Sequence, residues 1–157
     1  MINLDELKKF LYEANKNGYA GDGNEVSPQR QGFDEIEYKE GDWLFHDSYT
    51  GHYFAPGQEI VYFEGKPVWA MAYAGGMAFD HHGDKELTKK TIEFLKTALL
   101  AMDPESPFRG PQHFHDGNFE YFSALTGNIE DFADNEYIEY KDEVVFSQNF
   151  IGGVIIN

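Results

Sequence analysis

Two stretches of the chain carry the period of an amphipathic helix. The first begins at Asn3, which can cap a helix, and ends before Gly18. Its apolar positions recur at helical spacing and are Leu7, Phe10, Leu11 and Ala14. The second begins at Asp84 and stops at Asp103 and Pro104, and its apolar face comprises Ile92, Leu95, Leu99 and Met102. The pattern therefore predicts two helices.

Between and after these helices, short aromatic and β-branched runs alternate with turn residues, which is typical of antiparallel strands. In the first half we predict strands at residues 35–39, 43–50, 59–63 and 68–73. The last two form a hairpin across Glu64-Gly65-Lys66-Pro67, where glycine suits the turn and proline opens a strand without needing to donate. In the second half the closing hairpin is predicted to run from Glu136 to Val154. The fold class is therefore α+β.

The second half of the sequence repeats the first in residue type. Ser106-Pro107-Phe108-Arg109 is similar to Ser27-Pro28-Gln29-Arg30, and Gly152-Gly153 matches Gly75-Gly76 at a shift of 77 residues. We therefore predict one domain over residues 1–157, built from two repeats at about 1–78 and 84–157. Each repeat would be a helix followed by four antiparallel strands. Because so small a unit buries little apolar surface alone, the two should pack together about a pseudo-twofold axis.

Composition excludes several classes of function. The chain has 157 residues, with 12 basic and 28 acidic side chains and a formal net charge of −16. This charge repels phosphate backbones and anionic lipids, so direct binding to nucleic acid or membranes is not expected. The chain has no cysteine, which excludes disulfides and thiolate chemistry, and no apolar run reaches the roughly 20 residues that span a bilayer. We predict a cytoplasmic protein without a cofactor.

Several short motifs together resemble one known family. They are Gly18-Tyr19-Ala20-Gly21, Glu40-Gly41-Asp42, Asp47-Ser48-Tyr49-Thr50-Gly51, Gly57-Gln58-Glu59, Gly65-Lys66-Pro67-Val68-Trp69, Pro107-Phe108-Arg109-Gly110-Pro111 and Gly152-Gly153. This set is similar to a bacterial family named domain of unknown function 5680, over nearly the whole chain. Members occur alone or behind a helix-turn-helix domain in regulators, which implies a sensing or interaction role and assigns no catalytic residue. The sequence departs from the family pattern at residues 77–84, with their paired histidines.

Aromatic and arginine side chains are the candidate ligand-binding residues. Clefts between packed modules commonly bind small ligands, and aromatic faces near carboxylates suit cationic or planar molecules. An arginine in such a cleft could instead bind an anionic group. The candidates are Trp43, Trp69, Tyr73, Tyr121, Arg30 and Arg109. The competing interpretation makes the aromatic residues core and the two arginines structural clamps.

Three functions follow from these patterns. The first is a non-enzymatic ligand-sensing or interaction domain of bacterial regulatory type, with a small cationic or aromatic ligand between the repeats. The second is an acidic interaction protein or DNA mimic, because eleven acids lie between Asp103 and Glu143. The third is a metal-dependent enzyme, because His113 and His115 would share one face of a strand beside Asp116. Exposed polar residues at a strand edge are the alternative for these histidines.

Overall fold

The computed structural model describes residues 2–18, 20 and 24–156. These residues form two α-helices, one short 3-10 helix and ten strands. Their order is α1 (Leu4–Asn17), β1 (Asn24–Val26), β2 (Asp34–Glu40), β3 (Trp43–Tyr49), β4 (Gly57–Phe63), β5 (Lys66–Met77), the 3-10 helix (Phe79–His81), α2 (Lys85–Leu100), β6 (His113–Asp116), β7 (Phe119–Ser123), β8 (Thr126–Asn128), β9 (Asp131–Tyr140) and β10 (Glu143–Val154). The predicted α+β class is confirmed. The glycine-rich motif at 18–21 lies partly outside the described residues.

All ten strands form one antiparallel sheet. Its order is β1-β2-β3-β4-β5-β10-β9-β7-β6, and β8 pairs with β9 beside this path. Each half contains five of the described strands where the sequence predicted four. Residues 24–26 add a short edge strand to β2, and residues 126–128 add one beside β9. Strand β5 runs past its predicted end at Tyr73 to Met77, since its last residues pair with β10. The sheet is thus continuous from one half of the chain to the other.

Both helices begin at the caps that the sequence predicted. The Asn3 side chain accepts a hydrogen bond from the backbone N–H of Asp5 at 3.0 Å, and Asp84 accepts one from Leu87 at 2.9 Å. Helix α2 ends at Leu100, slightly before its predicted stop. Each cap uses backbone N–H groups that the first helical turn leaves without a partner.

The two helices pack on one face of the sheet and contact each other. Helix α1 contacts β2 and β3, whereas α2 contacts β6 and β7. Two apolar core clusters result, one centred on α1 with Trp69 and the other on α2 with Tyr121. The inward side chains of the central strands are buried in these clusters, as at Val61, Trp69 and Val145. No helix of the described ranges is long and apolar enough to cross a membrane.

Candidate ligand-binding site

A cavity of about 310 Å³ lies between helix α2 and the middle strands of the sheet. Its floor comes from four adjacent strands, which contribute Asp47, Glu59, Tyr73 and Phe150. Its apolar wall comes from one face of α2 and comprises Ile92, Leu95 and Leu99. A mostly apolar cavity with a few polar groups is typical of small-molecule sites.

Two acidic side chains lie side by side on the floor of the cavity. Asp47 of β3 and Glu59 of β4 are direct cross-strand partners, and they are only 3% and 5% exposed. The Tyr73 hydroxyl donates a hydrogen bond to Asp47 Oδ1 at 2.8 Å. Glu59 Oε2 is buried and has no hydrogen-bond partner among the described residues. Buried carboxylate oxygens are normally paired, and Glu59 lines the cavity, so its carboxylate is a candidate ligand-binding group.

Burial changes the protonation of both acids. Burial raises the pKa of Asp47 to about 6, although the hydrogen bond from Tyr73 partly opposes it. The pKa of Glu59 lies well above its ordinary value, because the group is buried and because Asp47 adds a neighbouring negative charge. A cation in the cavity would stabilise the ionised form of both groups. The pair is therefore suited to bind positive charge.

Arg109, like His52, lines the cavity with these acids. Its Nε donates to Glu136 Oε2 at 3.0 Å and its second nitrogen donates to Oε1, so the fork binds both carboxylate oxygens. The Tyr121 hydroxyl donates to the same Oε2 at 2.7 Å. The guanidinium carbon lies 4.1 Å from the centroid of the Phe150 ring. Glu136 thus binds the fork of Arg109. The positive charge of Arg109 also acts to lower the pKa of Asp47 and Glu59, but burial outweighs it at both acids.

The segment that carries Arg109 is held in place from two sides. The Asn15 side chain at the end of α1 donates to the carbonyl of Pro107 at 2.6 Å. Phe108 is buried, and its ring packs 4.6 Å from that of Phe132 between centroids. The loop between α2 and β6 is therefore anchored to both the first helix and the sheet.

The structure brings two of the six predicted ligand residues to the cavity, Tyr73 and Arg109. Trp43 packs instead on Phe10 of α1, with ring centroids 5.3 Å apart. Trp69 is fully buried in the core, and its Nε1 donates to the carbonyl of Ile129 at 3.0 Å. Those two tryptophans are not among the residues that line the cavity.

The other two predicted residues do not reach the cavity either. Tyr121 is fully buried and touches the site only through Glu136. Arg30 is exposed over Phe33, beside a shallow pocket formed by His46 and Ser48 on the opposite face of the sheet. Although Arg30 and Arg109 occupy similar places in the sequence, their surroundings therefore differ.

Asp47 and Glu59 were not among the predicted site residues. The sequence does indicate Asp47, because residues two apart in a strand lie on the same face of the sheet. Asp47 therefore lies on the same face as Phe45 and Tyr49, two aromatic residues of the same strand. Glu59 has the same relation to the fully buried Val61. An acid at an inward-facing position of an apolar strand is the pattern that indicates such a site.

The predicted histidine site gains no support from the geometry. His113 and His115 do share one face, with ring centroids 6.1 Å apart, and His113 Nε2 lies 3.0 Å from Glu120 Oε2. Within the described ranges, however, no three or more His, Asp or Glu side chains are grouped to hold a metal ion. Asp116 therefore does not complete a metal site with the two histidines.

The acidic stretch from Asp103 to Glu143 is only partly exposed. Asp134 and Glu136 lie in it, and both are buried under the helices. Ser123 donates to Asp134 Oδ2 at 2.8 Å, while Asp134 Oδ1 lacks a partner among the described residues and does not line the cavity. The acids of this stretch are therefore divided between the surface and the interior, and they do not form one continuous acidic surface.

Comparison with known proteins gives one match. Residues 47–155 match the family model described as Domain of unknown function (DUF5680). The chain belongs to this family. The DUF5680 match begins at Asp47 and includes Glu59, Tyr73, Arg109 and Glu136, whereas α1, β1 and β2 precede it. Searches of curated proteins and of solved structures found no match, so the function of this DUF5680 domain is argued from its site.

Proposed function

We propose that this DUF5680 chain is a non-enzymatic binding domain that holds a small cationic molecule in the cavity above β3, β4, β5 and β10. One observation carries the proposal: Glu59 Oε2 is buried and unpartnered among the described residues, next to the second buried acid Asp47. An uncompensated buried carboxylate is costly, and a ligand cation offsets that cost when it enters. The cavity of about 310 Å³ has room for a small organic molecule.

The lining supports a ligand with an apolar body attached to its charge. Opposite the acids, the wall consists of aliphatic side chains of α2, and the floor includes the Phe150 ring. Removing apolar ligand surface from water contributes roughly 25 cal/mol per Å². A bare metal ion would leave this wall without a partner, whereas an organic cation would contact both parts of the cavity.

We also propose that the chain arose by internal duplication, as the sequence repeat predicts. The two halves of the sheet have corresponding registers, since Phe45 faces Val61 as Tyr121 faces Ile138. The bulge of the β4–β5 pair skips Val68, and that of the β9–β10 pair skips Val145 at the same shift of 77 residues. These correspondences support two copies related by a twofold axis near the β5–β10 pair.

We propose a regulatory role from the family resemblance. The family resemblance implies a sensing or interaction domain, and ligand binding in a cavity between the two helices would supply the signal. A cytoplasmic location and the lack of direct nucleic-acid or membrane binding remain predictions from composition and charge. An acidic surface that binds a basic protein is the alternative function.

Thermal unfolding of the purified protein tests the proposed function. A panel of divalent metals, nucleotides and organic cations is added at equal concentration, and organic cations are expected to raise the melting temperature. A ligand present at 100 times its Kd stabilises the folded state by about 2.7 kcal/mol. Stabilisation by metals or nucleotides but not by organic cations would contradict the proposal.

Two variants assign the effect to the cavity. Glu59→Gln removes the unpartnered charge and is expected to abolish the stabilisation by organic cations. Glu130→Gln removes the same charge from an exposed position and is expected to leave it unchanged. Binding of a basic protein that weakens steeply with salt and is insensitive to Glu59→Gln would favour the acidic-surface alternative.

A further inference from the structure

The ligand's headgroup can be inferred by comparing Glu59 with Glu136, and this inference rests on the function proposed above. Glu59 lies opposite Asp47 on one side and Met71 on the other. Glu136 lies opposite Ser123 and Gln148 in the corresponding registers. Both carboxylates are buried on the helix-covered face. The two positions are therefore equivalent in the sheet but differ in their partners.

Glu136 already has the partner that Glu59 lacks. The planar guanidinium of Arg109 binds both of its oxygens and lies over the ring of Phe150. The residue that corresponds to Phe150 is Tyr73, because each faces the equivalent position of the neighbouring strand, Asp134 and Gly57 respectively. Tyr73 lines the cavity beside Glu59. The first half thus has the carboxylate and the aromatic ring but not the cation.

The chain does not supply this cation from the matching loop. Arg30 follows Ser27-Pro28 as Arg109 follows Ser106-Pro107, yet Arg30 is exposed and lies beside the pocket on the opposite face. Glu59 and Tyr73, which correspond to Glu136 and Phe150, both line the cavity. Arg109 itself cannot serve both sites, because its fork is already bound to Glu136.

We propose that the ligand is a planar N–H cation, a guanidinium or amidinium on an apolar body, bound in the first half as Arg109 is bound in the second. Two parallel N–H groups would donate to Glu59, and the plane of the cation would lie against Tyr73. A planar fork fits a carboxylate at two points, which a tetrahedral ammonium does not do. A quaternary ammonium has no N–H and leaves the buried oxygen unpaired.

Four phenyl compounds separate these headgroups while the body stays nearly constant. They are benzamidinium, benzylammonium, benzyltrimethylammonium and neutral benzamide, and their affinities for the whole protein are measured by calorimetry at neutral pH. Benzamidinium is expected to bind most tightly. Benzyltrimethylammonium and benzamide are expected to bind at least about tenfold more weakly, because neither matches a buried carboxylate with charged N–H donors.

The Glu59→Gln variant is expected to lose the preference for benzamidinium, whereas Glu130→Gln keeps it. Equal binding of benzamidinium and benzyltrimethylammonium would overturn the headgroup assignment but leave the cation site standing. Tighter binding of benzylammonium than benzamidinium would overturn the planar arrangement in the same way. Equal binding of benzamide, or no binding by any of the four compounds, would overturn both the headgroup and the proposed function.

Discussion

Arg109 and Glu136 form a two-point ion pair beneath the helices, with Nε of the arginine 3.0 Å from Oε2 of the glutamate. The Glu136 side chain is fully buried and that of Arg109 is 11% exposed. Burial alone would lower the pKa of Arg109, but the adjacent carboxylate outweighs this and raises it, so the arginine stays charged. The pair anchors the loop after α2 to the sheet. It also determines which acids of the cavity remain available to a ligand.

The first prediction concerns the loss of this arginine. Arg109→Met leaves Glu136 as an uncompensated buried charge and is expected to lower the free energy of unfolding by about 3–5 kcal/mol. Urea denaturation followed by circular dichroism measures the change. The double variant with Glu136→Gln is expected to recover part of the loss, because the uncompensated charge is then absent. A double variant as unstable as the single one would show that the charge is not the cause.

The second prediction is a fall in stability as pH rises toward neutrality. Asp47 and Glu59 have raised pKa values when folded, so the folded protein binds more protons than the unfolded chain between the ordinary carboxyl range and the raised values. Unfolding then releases protons, and stability decreases as pH rises from the ordinary carboxyl range through the raised pKa values, which are about 6 for Asp47 and well above the ordinary value for Glu59. The two acids together are expected to lower the free energy of unfolding by on the order of 2 kcal/mol across this range.

Denaturant titrations from about pH 5 to 8 measure this slope. The double variant Asp47→Asn with Glu59→Gln is expected to flatten it, and Glu130→Gln is expected to leave it unchanged. Glu35 acts in the opposite sense, because the backbone N–H of Gln29 lowers its pKa, but that effect belongs to pH values below the window. A stability that rises across the window in the wild-type protein would contradict the prediction.

The third prediction concerns Gly76 and Gly153, at equivalent ends of β5 and β10. A Cβ at Gly76 would lie 2.0 Å from the carbonyl oxygen of Tyr53, and one at Gly153 would lie 2.2 Å from that of Glu130. Both contacts are with backbone, which cannot move aside without breaking local hydrogen bonds. Each glycine-to-alanine change is therefore expected to cost more than about 2 kcal/mol.

Gly65 offers the matched control for these two glycines. It lies in the β4–β5 turn with a positive φ of 74°, and a Cβ there would meet nothing within 4 Å. Gly65→Ala is therefore expected to cost only the strain of the left-handed backbone, about 1 kcal/mol. Thermal unfolding compares the three variants. A cost at Gly76 or Gly153 no larger than that at Gly65 would show that the close approach is unimportant.

Local features of the fold could be read from the sequence, because their causes are local. The helix caps at Asn3 and Asp84 and the turn at Glu64 and Gly65 depend on neighbouring residues alone. The continuation of β5 to Met77 could not be predicted in this way. It depends on pairing with β10, which lies far away in the sequence, and Gly75 and Gly76 look like a linker when that pairing is unknown.

The candidate site was predicted less completely than the fold, for a physical reason. Aromatic residues such as Trp69 and Tyr121 have the same pattern whether they line a cavity or fill a core, and here both fill the core. Glu59 combines an oxygen that has no partner among the described residues with a place in the cavity lining, and both are properties of three-dimensional packing. The alternation of inward- and outward-facing side chains along β3 and β4 could identify Asp47 and Glu59 as inward acids, but it could not show the cavity beside them.

The last prediction separates the core aromatics from the cavity. Trp69→Phe removes the donor to the buried Ile129 carbonyl and is expected to lower the free energy of unfolding by about 1–3 kcal/mol. Trp69 does not line the cavity, and contacts outside a site change binding little. The affinity of Trp69→Phe for benzamidinium should therefore stay within about twofold of wild type. Tyr73→Leu should weaken the same affinity, because it removes the ring against which the cation would lie. Calorimetry well below the melting temperature measures both variants. A large loss of affinity in Trp69→Phe, with Tyr73→Leu unchanged, would place the ligand among the core aromatics instead.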